Sequence, residues 1–173
     1  MNFKDLLDLD ARLSAKVRIA ERPGLLRNAA GVIAHSGDSW FWWAGLGLLW
    51  WKGDHFWSTW GRTLLLAIIA LAVIVLVVKF SVRRRRPEGE WGAIYRSTDP
   101  HSFPSGHAAR AFLIAVLVTC LGPGWMAIIL WIWAPLVALA RTAMGVHYLS
   151  DVLAGVILGS LAGAAGCLVL QLL

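Results

Sequence analysis

The chain has 173 residues, of which 58% are hydrophobic and only 15% charged, with a formal net charge of +6 and a mean hydropathy of +0.66. Soluble domains average nearer half apolar and a quarter charged. This composition, with 11 Trp and 17 Gly, therefore indicates a small integral membrane protein and excludes an acidic disordered chain or a disulfide-built secreted module. The basic residues flank apolar blocks, the pattern of loops facing the cytoplasm or anionic lipid, so nucleic acid is not an expected partner.

In residues 5–21, Leu6, Leu9, Leu13, Val17 and Ala20 recur every three or four positions, with Arg12 and Lys16 off that stripe. This spacing predicts an amphipathic helix, either lying at the membrane surface or packed as a cap on the bundle. Pro23-Gly24 ends it. The first thirty residues lack a continuous apolar run, so no cleavable signal peptide is expected. Residues 25–33 are weakly apolar, and His35-Ser36-Gly37-Asp38 interrupts them. Ser36 or Asp38 is placed to cap the next helix, and Asp38 could instead line a pocket entrance; the cap is the favoured reading. His35 and His55 read as surface or interfacial residues.

The next helix runs from Trp40-Phe41-Trp42-Trp43 to Trp50-Trp51, short for a span but with tryptophans at both ends, as in an aromatic belt. A clear span follows at 61–80, stopped by Arg83-Arg84-Arg85-Arg86. Residues 81–103 form the one long polar connection. Further spans are expected at 104–121, at 125–139 with Pro135 inside it, and from 147 to the C-terminus. In the last of these Gly155, Gly159 and Gly163 recur every four residues, a seam for close packing on a neighbouring helix of the same chain rather than for a dimer. Cys120 and Cys167 sit in apolar stretches and read as small buried hydrophobes rather than a bridge. The expectation is one all-α membrane domain over 1–173: about five transmembrane helices, an N-terminal interfacial helix (1–24) and an active-site loop (81–103).

Alternating directions then place three stretches on one membrane face: the loop after the second span, the start of the third, and the link between the fourth and fifth. Lys79 and Arg86, Ser105-Gly106-His107, and Arg141, His147 and Asp151 all fall there. Ionisable groups in or beside spans are costly and point to function. Lys79, Arg86 and Arg141 suit a phosphate or diphosphate, since arginine offers a planar fork of donors and lysine a point charge. The Ser105 hydroxyl and the N–H groups opening a helix add further donors. His147 and Asp151, at i and i+4, share a helix face, so the carboxylate can take one imidazole N–H and leave the other nitrogen to attack. His107 can protonate a departing oxygen. Taken singly, Arg83, Arg84 and Arg85 read as a positive-inside stop and His101 as a loop histidine. His101, His107, His147 and Asp151 could in principle hold zinc, but three nearby cations oppose a metal, and none is expected.

Lys79-x6-Arg86-Pro87, Pro104-Ser105-Gly106-His107 and Arg141-x5-His147-x3-Asp151 together resemble the three-part signature of the type 2 phosphatidic acid phosphatase superfamily. The resemblance implies a metal- and cofactor-independent phosphatase on a helical bundle. In it His147 would be the nucleophile, forming a phosphohistidine, and Asp151 would orient it. His107 would be the general acid, then the base for water. Lys79, Arg86, Ser105, Gly106 and Arg141 would hold the phosphoryl oxygens. One position departs from the pattern: Ala140 stands where the family usually has serine.

The expected partners are a lipid phosphate or diphosphate, polyprenyl-linked or glycerolipid, and membrane lipids. The chain would act as a monomer or weak homodimer. Six Lys/Arg in the first thirty residues and six more in 79–96, against Lys52 and Arg62 at the opposite turn, place the N-terminus and the site in the cytoplasm. The alternatives are a small anion or lipid transporter, which would more often show duplicated or broken helices, and a non-catalytic lipid-binding protein, which would be expected to lose His107 or His147.

Overall fold

The computed structural model describes residues 2–96 and 99–172; Ser97 and Thr98 of the expected 81–103 loop, Met1, and Leu173 at the end of the last helix lie outside the described residues. Eight helices are formed among the described residues: α1 (Phe3–Lys16), α2 (Leu25–His35), α3 (Ser39–Lys52), α4 (His55–Val82), α5 (Glu90–Arg96), α6 (Gly106–Leu121), α7 (Gly124–Ala143) and α8 (Leu149–Gln171). The first ends earlier than its apolar stripe predicts. Ala20 is drawn under the end of α7, where its N–H donates to the Ala143 carbonyl at 3.0 Å and its side chain is fully buried. A short helix, α5, forms inside the loop expected to be irregular.

By length and composition α4, α7 and α8 can each cross a membrane. Both α3, with 14 residues, and α6, with 16, are apolar but shorter. The length of α6 is explained by its place: it packs on α4, α7 and α8, and Ala108, Ala109, Leu113, Ile114, Leu117 and Val118 along it are buried. A helix sheathed by protein needs no full hydrocarbon width of its own. The glycine seam of α8 faces it. A Cβ at Gly155 would lie 2.5 Å from the Ser105 carbonyl oxygen, and one at Gly163 would lie 2.7 Å from Val116 Cβ, so the seam is intramolecular.

Two expectations are decided by the packing. The stripe of α1 faces outward, with Leu6, Leu9, Leu13 and Val17 exposed, while Ser14 is buried against the body. A cap helix would bury its apolar side; this one leaves it exposed, the arrangement of a helix that lies in an interface. The cysteines, expected to be separate buried thiols, are instead bonded to one another as a Cys120–Cys167 disulfide. Both lie near the far ends of α6 and α8, two helices brought together along their whole length by the glycine seam, and forty-seven positions of intervening chain hid the pairing.

Candidate active site

At the end of the bundle where α4 and α7 finish and α6 and α8 begin, His147 and Asp151 are buried. Asp151 lies in the first turn of α8 and its Oδ2 accepts from the Tyr148 N–H at 2.9 Å, closing the helix start. The His147 Nδ1 faces that same oxygen at 3.6 Å. On the other edge of the ring Arg86 Nη1 lies 3.2 Å from Nε2. A guanidinium only donates, so Nε2 is the nitrogen with the lone pair and the proton sits on Nδ1, toward Asp151. Burial, then Arg86, Arg141 and Lys79, pushes the imidazole well below the ordinary histidine range, because each cation opposes a second positive charge.

Three cations surround this nitrogen. Lys79, in the last turn of α4, is buried, and its ammonium pairs with Asp99 and donates to the His101 carbonyl at 3.0 Å. Arg86 donates through Nη2 to Asp99 at 2.7 Å and through Nη1 to the Val146 carbonyl at 2.9 Å. The Asp99 carboxylate thus already occupies a two-cation grip of the kind a phosphate would take. Arg141, fully buried, donates through Nη1 to the Tyr95 hydroxyl at 3.1 Å. Its Nε and Nη2 have no hydrogen-bond partner among the described residues, and nor does the buried Ser105 hydroxyl. Ser105 stands at the N-cap of α6 but does not cap it with its side chain; its own N–H instead donates to the Asp151 carbonyl at 2.9 Å, tying the starts of α6 and α8 together.

His107, one turn into α6, is engaged from a part of the chain outside the three motifs: its Nε2 lies 2.7 Å from Asp38 Oδ1. Asp38 is the N-cap residue of α3, but its side chain makes no capping bond. The cap reading is therefore corrected, and Asp38 lines the site. A cavity of about 460 Å³ is lined by Asp38, Lys79, His107 and His147 together with Trp40 and Trp43 of α3 and Ile68, Leu71 and Val75 of α4. From Lys79 to Ile68 is eleven residues of helix, so the cavity follows α4 for roughly 16 Å toward the bilayer centre.

All eight expected residues gather at this end of the bundle. Four others were missed. Arg84, read as a stop signal, donates to Asp151 Oδ1 at 2.7 Å and to Asp10 of α1 at 2.6 Å. Arg110 is buried and grips the α2–α3 turn. Asp99 and Tyr95 hold the cations. For Arg84 and Arg110 the signal lay in charge placed beside or inside an apolar run; for Asp99 and Tyr95, nothing local marks them in a polar loop. Arg83 and Arg85 are exposed, and His101 stacks edge-on against Phe80 with ring centroids 5.3 Å apart.

The fold is that of transmembrane phosphatases. It superposes on the transmembrane PAP2-type phosphatidylglycerolphosphate phosphatase of Bacillus subtilis with a TM-score of 0.73 and 25% identity, covering 98% of this chain and 88% of that one. On Aquifex aeolicus LpxE it superposes with a TM-score of 0.71 and 27% identity, covering 91% and 94%. In sequence it is 34% identical over 151 residues to the decaprenylphosphoryl-5-phosphoribose phosphatase of Mycobacterium tuberculosis, covering 84% of this chain and 81% of that protein. It is 36% identical over 104 residues to the undecaprenyl-diphosphatase of Sulfolobus acidocaldarius, covering 58% and 50%. Residues 60–172 match the PAP2 superfamily, and the chain belongs to it. It is a membrane phosphatase whose relatives act on lipid phosphates.

Proposed function

We propose that this protein hydrolyses a polyprenyl-linked or glycerolipid phosphate or diphosphate without a metal, through a phosphohistidine on His147. The single observation that carries this reading is a buried imidazole whose lone-pair nitrogen faces a cluster of cations already holding a carboxylate. The phosphoryl group takes the place of the Asp99 carboxylate on Lys79 and Arg86, with Arg141, Ser105 and the opening N–H groups of α6 on its remaining oxygens. The His147 Nε2 lone pair forms the N–P bond as the P–O bond to the lipid breaks, and His107 gives its proton to the departing oxygen. Water then attacks phosphorus, His107 takes its proton, the N–P bond breaks and phosphate leaves. Asp151 holds the Nδ1 proton of His147 throughout; its 3.6 Å distance is of the length that catalytic hydrogen bonds often show before substrate tightens them. Positioning and charge are what phosphoryl transfer chiefly asks of a protein. The donor set supports a metal-free route, because Asp38, Asp99 and Asp151 are each committed to a histidine, lysine or arginine.

The cavity running down α4 supports a lipid substrate, its tail between α3 and α4 and its phosphate at the polar end. The cytoplasmic face fits both the basic N-terminal segment and the disulfide. Cys120 lies fourteen residues into α6, roughly 21 Å from the site along the helix, and a bridge at that end belongs to an oxidising compartment. The test is phosphate release by the detergent-solubilised protein from dioctanoyl phosphatidic acid, phosphatidylglycerol phosphate and a polyprenyl diphosphate, with and without EDTA. Turnover that persists in EDTA and disappears in His147→Ala is expected; turnover unchanged in that variant overturns the nucleophile. In intact cells a cysteine introduced by Glu90→Cys should resist an impermeant maleimide, and rapid labelling would place the site outside.

A further inference from the structure

The turn between α2 and α3 is held far more firmly than a connection needs to be. Trp42 Nε1 donates to the Ser36 carbonyl at 3.0 Å, and Trp133 Nε1 of α7 to the Ser36 hydroxyl at 2.8 Å. Arg110 donates to the Gly37 carbonyl through both Nε and Nη2, and to Ser39 Oγ at 2.5 Å. These bonds clamp the residues on either side of Asp38. Arg110 and His107 are three positions apart on α6, so one face of one helix grips the backbone of the turn and receives its side chain. Gly37 suits the close approach: a Cβ there would stand 3.0 Å from Val137 Cγ1, 3.2 Å from the Ala34 carbonyl oxygen and 3.4 Å from His107 Cδ2, so its neighbours would have to give by a few tenths of an ångström. The one carboxylate this turn carries is delivered to the ring of His107 at 2.7 Å, and its second oxygen is held by His35 Nδ1 at 3.0 Å.

We propose that Asp38 is a positioning residue for His107, fixing the ring and favouring the imidazolium form that a proton donor must hold. The charges around that ring make the need plain. Arg141 from α7 and Arg110 on its own helix both oppose its protonation, and Lys79 from α4 and His147 from the α7–α8 link line the same cavity. Asp99 is spent on Lys79 and Arg86. Asp38 alone among the described carboxylates is bonded to the ring. Although burial by itself raises the Asp38 carboxyl, its hydrogen bonds to His107 and His35 hold it below the usual carboxylate range, so it stands as an anion at working pH. The proposed nucleophilic histidine, by contrast, lies in the link before α8 and faces an aspartate only four positions along the chain; this second pair is assembled across sixty-nine positions of chain.

The proposal rests on His107 as the proton donor, and the test separates the two. Wild type, Asp38→Asn and His107→Gln are compared on dioctanoyl phosphatidic acid, whose alkoxide must be protonated to leave, and on para-nitrophenyl phosphate, whose leaving group departs without a proton. For Asp38→Asn on phosphatidic acid kcat is expected to fall about 10- to 100-fold, part of the range general acids supply, with KM changed by less than about threefold. The fall on the aryl ester should be much smaller. The alkaline limb of kcat/KM should move about one pH unit lower, a tenfold loss of proton affinity at His107. Equal falls on both substrates with an unmoved limb would overturn the proposal and leave a structural turn. Asp38→Asn unchanged while His107→Gln loses the alkyl ester would overturn it and keep the donor. His107→Gln as active as wild type on phosphatidic acid would remove the donor itself, and with it the proposal. Should Asp38→Asn not fold, Asp38→Glu carries the comparison: a reduced kcat on the alkyl ester alone, with the limb in place, supports it, and equal reduction on both esters sinks it.

Discussion

The two sides of the proposed active site are built by opposite means. On the attacking side His147 is dry, ringed by cations, and paired with an aspartate four residues along the same chain. On the donating side His107 meets a carboxylate from a distant turn whose outer histidine, His35, is half exposed. The difference suits the chemistry that the proposed mechanism asks of each ring. A nucleophile is useful only while neutral, so burial and cations serve it. A proton donor is useful only while charged, so the same surroundings work against it unless an anion is supplied at short range.

The most severe way to break this contrast is His147→Ala, expected to cost at least about 10⁴-fold in phosphate release, as loss of a nucleophile does elsewhere. Arg86→Gln sharpens it. Removing one charge-stabilising donor is expected to cost about 10²–10³ in kcat. Because Arg86 helps to keep His147 unprotonated, the acid limb of kcat/KM should also move upward in pH; a fixed limb would mean burial alone sets it. Arg84→Ala removes the guanidinium that joins Asp151 to Asp10 of α1, and a fall of about 10- to 100-fold in kcat is expected, the usual worth of a partner one step behind a reacting ligand. Asp10→Asn should do the same to a lesser degree. Asp99→Asn takes away the carboxylate that competes for Lys79 and Arg86, so KM should drop about two- to fivefold, the value of a half-exposed ion pair. A rise in KM would show that Asp99 helps to shape the grip instead. Smallest of all, the Cys120→Ser, Cys167→Ser double variant should keep kcat within about twofold while its melting temperature falls, reflecting the roughly 2–4 kcal/mol typical of a bridge.

What was legible in the residues, and what was not, divides along the same line. The eight residues of the three motifs could be singled out because each motif is local: Lys79 and Arg86 flank one helix end, Ser105-Gly106-His107 opens another, and His147 stands just before α8 rather than on its face as expected, with Asp151 in that helix's first turn. Asp38 was misread as a cap because Asp before an apolar helix is what a cap looks like, and only the position of α6 diverts its carboxylate to His107. Arg84 was misread because a run of four arginines after a span is what a stop signal looks like. Its neighbours Arg83 and Arg85 are exposed, and the backbone turns left-handed at Arg83 (φ 52°), where α4 ends. The apolar stripe of α1 was identified correctly, but its outward orientation awaited the packing of Ser14 and Asp10 against α8.

By itself the sequence determined the membrane class, the long apolar helices and the family, because hydrophobic length, helical period and motif spacing are properties of neighbours along the chain. The tertiary structure decided which charges meet: Asp38 on His107, Asp99 across Lys79 and Arg86, Arg84 between α1 and Asp151, Cys120 on Cys167. Those pairings join residues from thirteen to seventy-four positions apart, and they are set by how the helices pack, where a few ångströms of approach decide whether two charges share a hydrogen bond or never meet.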